Sequence, residues 1–564
     1  MTSLDWLVLF ATLTVIVGYG LYRSRGSDTV DRFLLAGKTM PWYAMALSIM
    51  ATQASAVTFI STTGQAYTDG MRFVQFYFGL PIAMVVLSAT VVPVFHRAKV
   101  FTAYEYLEQR FDSKTRALAS VVFLCQRGLS AGLTLYAPAI VLSVILGWPE
   151  RNTIALMGVT VITYTTLGGV KAVTWSDVQQ MCIIFVGLII ALITVVHMMP
   201  SSISFPDALY LAGAAGRLNA VTTNFAWNDQ FTLWSGLIGG TFLFLSYFGC
   251  DQSQVQRYLT GKSVAQSRLS LIFNAVAKIP MQFFILFIGA MVFVFYLFVS
   301  PPVLFEQAEL QRIETTSAYR PVAERYQQAF EHRREAALAL VQAHHSGSTQ
   351  AENLQVAAYR SAQRELDAAR GQAVQLVADT GGDQRFSDTN YIFLSFVTKY
   401  LPAGLVGLII AVIFAATMSA SAGEINSLAT VTMVDLYRRY FHRSGTDHHY
   451  LWASRWATIF WGAYAVIFAG WGRRLGSLIV AVNVVGSLFY GSLLGVFALA
   501  FFFRQVRGTA AFCGILAGEA AIFWAFLFTS ISFLWYNVIG CVVVIATALF
   551  ITYASQRAAQ PRQS

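Results

Sequence analysis

Residues 405–424 read LVGLIIAVIFA and then ATMSASAGE. An unbroken oily run turns into small residues, three hydroxyls (Thr417, Ser419, Ser421), the glycine Gly423 and the carboxylate Glu424. An apolar helix that ends this way is either packing closely on a neighbour through its small residues or lining a site. The rest of the chain decides between the two.

Composition gives the class. Of 564 residues, 56% are hydrophobic and only 12% charged, too little charge to cover a soluble protein of this length. Apolar runs of about 20 residues, enough to cross a bilayer, recur throughout. We count about thirteen, near 4–22, 43–66, 73–96, 117–147, 152–169, 178–199, 230–250, 270–300, 391–422, 451–471, 477–503, 508–529 and 531–553. An all-α polytopic membrane protein is expected, since a membrane β-barrel would show short alternating segments instead. The first run has no basic region before it and arginines after it, so no cleavable signal is expected.

Loop charge sets an orientation. Basic residues follow the odd-numbered spans: Arg23, Arg25, Arg32 and Lys38; Arg97, Lys99, Arg110 and Lys114; Lys171; Lys262 and Arg268; Arg438, Arg439 and Arg443; Arg504 and Arg507. The alternate short loops carry few, apart from Arg473 and Arg474. The positive-inside rule then places the N-terminus outside and the tail 554–564 in the cytoplasm of a cell (inner) membrane. The net charge of +10 is thus topology, and no nucleic-acid-binding module is visible. The five cysteines lie in apolar segments without metal or disulfide spacing, and read as small hydrophobes.

One region breaks the pattern. Between the helices of 1–304 and those of 390–553, residues 305–389 are polar, charged and alanine-rich. Leu354, Ala358, Ala362, Leu366, Ala369, Ala373 and Val377 recur at three to four residues, a helical stripe. HHSGST (344–349) interrupts two such segments. An extracytoplasmic antiparallel helical pair is expected. It packs on its own stripe or, less in keeping with its composition, receives a partner.

Polar residues inside the spans are the functional candidates. The second span carries Thr52, Gln53, Ser55 and Thr58. The fourth carries Arg127, and the seventh ends in CDQSQVQRY. The eighth carries Lys278, and the ninth the opening stretch. Clusters in several separate spans point to a shared aqueous cavity and hence to transport. No nucleophile–base pair, phosphate loop or metal cluster suggests an enzyme.

Four stretches, TAYEYLEQRF (102–111), LGGVKAVTWSDVQQ (167–180), DQSQVQRYLTGKS (251–263) and NSLATVTMVDLYRR (426–439), resemble those of the sodium/solute symporter family. The resemblance covers nearly the whole chain apart from the insertion. It implies a leucine-transporter-like fold: two inverted five-helix repeats, spans two to six and seven to eleven, each opening with a helix broken near the midplane. It also implies sodium-coupled symport of a small polar solute by alternating access, with no cofactor beyond the coupling ion. The alternatives are a proton-coupled or sodium-independent carrier and a transporter-like sensor.

By the family's motif positions, sodium would be held by the carbonyls of Ala51, Ala54 and Ala416 and the hydroxyl of Ser419. The second hydroxyl position is Ala420. Some members hold a second sodium with an aspartate matching Asp177, but its hydroxyl positions are Ala422 and Gly423 here, so that site is not expected. Asp177 and Glu424 remain ion-coupling candidates, Glu424 being otherwise the partner of a cytoplasmic arginine near the helix end. The solute positions of the sugar-transporting members fall on Thr58, Tyr77, Asp251, Lys278 and Asn483. Only the lysine matches, so sugar does not carry over. Lys278 and Arg127 are buried cations. If either lacks a protein carboxylate partner, an anionic solute could supply one, unless Asp251 satisfies Lys278 instead; this favours a small organic acid over a sugar, an amino acid or another polar nutrient.

Overall fold

The computed structural model describes residues 2–23, 29–382, 386–470 and 477–559. Arg25, Arg473, Arg474 and residues 560–564 lie outside these. Among the described residues the chain is helical, with one isolated bridge between Met40 and Gly261.

Among the described residues, nine helical stretches are long and apolar enough to cross a bilayer. Four more crossings escape that criterion: the second span, broken into Trp42–Gln53 and Ala56–Asp69; the fifth, from Glu150; the seventh, broken into Ser235–Gly249 and Gln252–Leu259; and the tenth, Asp447–Ala469. Thirteen crossings result. Helical structure is continuous over Glu150–His197, but its two halves run in opposite directions. Thr153 bonds Ala139 and a Cβ at Gly158 would meet Leu135, so the first half runs antiparallel to the fourth span, Ser113–Leu146. The second half runs antiparallel to the ninth, with Asp177 on Ser419 and Gly187 facing Ile409.

Spans two to six and seven to eleven form the two inverted repeats, each opening with its broken helix. The second span breaks at Ala54 (φ −95°, ψ 55°) and Ser55 (φ −71°, ψ 172°). The Thr58 hydroxyl donates to the freed Gln53 carbonyl at 2.8 Å, as a break in hydrocarbon requires. The seventh breaks at Cys250 and Asp251. Asp251 caps the following helix by accepting from the Ser253 backbone at 2.9 Å. The third and seventh spans touch backbone to backbone: a Cβ on Gly236 would lie 1.9 Å from the Gln75 carbonyl oxygen. This approach sets the spacing of the aromatic residues that follow.

The ninth span differs from the expectation. The apolar run from 391 is two helices, Ile392–Tyr400 and Leu405–Val431, split at Leu401–Gly404. Pro402 and Gly404 (φ +86°) supply the break, and hydropathy averages over it. The opening stretch therefore lies in the middle of a fully buried helix, not at its end.

The insertion forms helices Gln307–Glu314, Tyr319–His345 and Thr349–Asp379. Gly347 (φ +70°) turns the long pair back on itself. Leu366, Ala369, Ala373 and Val377 are buried against the partner helix, but Leu354 is 69% exposed. Steps of four residues drift about 40° each round a helix, so going back from the buried Ala362 the residues Ala358 and Leu354 rotate off the face, and Tyr359 is buried in their place. The pair is fixed to the membrane body. Arg333 donates to the Tyr296 carbonyl at 2.6 Å, and His345 lies 2.7 Å from Asp207. Burial pushes the Asp207 carboxyl up. Hydrogen bonds from Ser204 and His345 outweigh this and hold it below its ordinary range.

Candidate functional site: a cavity between the two broken helices

Four spans bring charged and phenolic groups together at mid-depth. Arg127 of the fourth span is 2% exposed. Its guanidinium donates to Glu424 of the ninth at 2.8 Å, to the Tyr490 hydroxyl of the eleventh at 2.8 Å, and to Asp251 at the break of the seventh. Tyr490 in turn donates to Asp251 at 3.0 Å. One arginine thus faces two carboxylates, so that with both ionised the group carries one net negative charge. Arg127 Nε and Glu424 Oε2 are buried without a hydrogen-bond partner among the described residues.

This group walls a cavity of about 90 Å³, also lined by Gln53, Ser55 and Thr58 at the first break, by Phe76, Tyr77, Phe244 and Tyr247, and by Asn483. That is room for roughly six waters, or a solute of similar size. Of the expected solute positions, Thr58, Tyr77, Arg127 and Asn483 line the cavity. Asp251 reaches it only through Arg127 and Tyr490. Lys278 is displaced: fully buried on the eighth span, it stands behind Tyr77, with Nζ 5.7 Å from the ring centroid. Asp251 is therefore the partner of Arg127 and not of Lys278, whose Nζ has no hydrogen-bond partner. The reason is the break: Asp251 is spent on capping one helix and on holding the arginine. Glu424 also departs from the expectation. Its partner is the intramembrane Arg127, because position 424 lies mid-helix.

A second polar group lies beneath the first break. Asp177 accepts from Arg257 at 2.7 Å, from Ser48 and from Ser419. Arg257, on the helix after the second break, was not expected here, although it stands in the DQSQVQRY motif. Gly423 makes its place: a Cβ there would meet Arg257 Nη2 at 2.2 Å. Ala51, Ala54, Ala416 and Ser419 are all buried where the ninth span crosses the broken second span. Tyr490, Phe76, Phe244 and Tyr247 carried no sequence signal, since phenylalanine and tyrosine are frequent throughout the chain.

The profile described as the sodium:solute symporter family matches residues 33–307 and 373–518. Sodium-coupled monocarboxylate transporter 1 of Homo sapiens is 29% identical over 523 residues, 92% of this chain and 72% of the relative. The sodium/sialic acid symporter NanT of Aliivibrio fischeri is 26% identical over 551 residues, 96% and 92% of the two chains. The substrate-bound, outward-open structure of a Na+-coupled sialic acid symporter superposes with a TM-score of 0.75, covering 98% of each chain at 24% identity.

Proposed function

Because the chain belongs to the sodium:solute symporter family and is a multi-pass, sodium-coupled carrier working by alternating access, we propose that its solute is a small monocarboxylate. The observation that carries this is Arg127: although Asp251 and Glu424 accept from its terminal nitrogens, its Nε, in the wall of a small, aromatic-lined cavity, has no acceptor among the described residues. Such a group recognises a carboxylate by charge-assisted hydrogen bonds. Lys278 stands outside the cavity, its Nζ 5.7 Å from the centroid of the Tyr77 ring that lines it. Relatives that carry monocarboxylates support the same class. The test is uptake into proteoliposomes with an inward sodium gradient. Short labelled monocarboxylates should accumulate and their neutral amides should not. Equal uptake of the amides overturns the reading.

Sodium is assigned to the carbonyls of Ala51, Ala54 and Ala416 and the hydroxyl of Ser419, where the ninth span crosses the first break. A single sodium is proposed, because the Arg257 guanidinium already neutralises Asp177. The protein is placed in the cell membrane with residues 1–304 and 390–553 as its membrane body. The insertion lies outside as a brace on its own stripe, and the C-terminal tail lies inside. An impermeant thiol reagent should label Ser348→Cys in intact cells and leave Arg439→Cys unlabelled. The reverse pattern overturns this orientation.

A further inference from the structure

At Ala420 the ninth span lacks a hydroxyl beside Ser419, and the structure offers another oxygen near it. Glu424 lies four residues on, on the same helix face as Ala420. Helical side chains lean back toward the N-terminus, over the preceding turn, so the Glu424 carboxylate overlies the turn that contains Ala420. One of its oxygens is committed to Arg127 at 2.8 Å, while Oε2 is buried and accepts no hydrogen bond from the described residues. Gln53, the last residue before the break in the second span, also has a buried side-chain oxygen, Oε1, without a partner. Both residues line the same cavity.

Charge points the same way. Arg127 is shared between Asp251 and Glu424, which leaves one negative charge uncompensated in a low-dielectric interior, a costly arrangement unless a cation joins it. Open oxygens beside an unbalanced carboxylate suit a small hard monovalent cation.

We propose that Glu424 Oε2 and Gln53 Oε1 are sodium ligands, and that the carboxylate at 424 replaces the hydroxyl absent at 420. The coupling ion then sits directly against the arginine that faces the solute. Sodium neutralises Glu424, and this frees the Arg127 edge for an incoming anion. The sodium site stands whatever the solute proves to be.

The test reads sodium alone. Purified full-length protein is heated in sodium chloride against choline chloride, with no solute, and the sodium concentration giving half-maximal stabilisation is recorded. Glu424→Gln keeps Arg127 paired with Asp251, so the fold should survive. It should raise the half-maximal concentration about tenfold or more. Gln53→Leu, which alters no charge, should raise it by about threefold. Ser419→Ala should also raise it, and Ala420→Ser placed in Glu424→Gln should recover part of the loss. Should Glu424→Gln fail to fold, Gln53→Leu decides alone. An unchanged sodium response in Gln53→Leu and in a folded Glu424→Gln, with loss in Ser419→Ala, overturns the proposal. So does wild-type protein equally stable in sodium and choline. Because no solute is present, this result is independent of the uptake assay that tests the monocarboxylate reading.

Discussion

Arg127→Met should abolish solute uptake and destabilise the protein by about 3–5 kcal/mol, the usual cost of stripping a buried ion pair of one partner. The substitution leaves both carboxylates without a cation: Asp251 keeps the hydroxyls of Tyr490 and Ser253, and Glu424 that of Thr134 at 3.5 Å. Removing both charges along with the arginine, as Arg127→Met with Asp251→Asn and Glu424→Gln, should restore a monodisperse, heat-stable protein. Asparagine can still cap the helix that starts at Gln252. Uptake should stay absent in that triple variant, because no group remains to hold a carboxylate. The readouts are size-exclusion profile, thermal midpoint and proteoliposome uptake. A single variant with the wild-type midpoint and wild-type uptake would remove Arg127 from both roles.

The second large effect belongs to Arg257. Arg257→Met uncovers Asp177, which is fully buried and left with only the hydroxyls of Ser48 and Ser419. A loss of similar size, about 3–5 kcal/mol, is expected, and Asp177→Asn in the same chain should return most of it. Gly423→Ala should move the midpoint in the same direction by less, since its Cβ must displace one guanidinium nitrogen. The pair is additive or not by direct measurement of the double variant. An unchanged midpoint in Arg257→Met would mean that Asp177 is neutral in the folded protein.

How far the sequence foretold this site depends on which interaction each residue makes. Hydropathy found the spans because bilayer thickness fixes their length. It merged Ile392–Tyr400 with Leu405–Val431 because a short buried apolar helix and a span share the same composition. The breaks in the second and seventh spans are what the family resemblance implies; the residues alone mark 52–58 as a polar stretch and CDQSQVQRY as the end of a span. What Asp251 does at its break was not legible. A carboxylate beside a broken helix can cap it, pair with a cation or both, and only the fold reveals that Arg127 rather than Lys278 is within reach. Glu424 was legible as an anomaly but not as a partner, since Arg127 lies 297 residues away in the chain. Leu354 shows the complementary failure: a periodic signal that drifts off its face when the repeat stays at four.

The guanidinium of Arg257, seated against Gly423 and paired with Asp177, has an electrical consequence. A carrier with one sodium site that moves a neutral solute transports one net charge per cycle. A membrane potential of about 100 mV then contributes ~2.3 kcal/mol, roughly fifty-fold accumulation. The same carrier moving a monocarboxylate transports none. Its cargo is an ion pair, its turnover generates no current, and its concentrating power comes from the sodium gradient alone. Arg257 would thus make this transporter blind to voltage, so that it keeps working in a depolarised cell as long as sodium is pumped out.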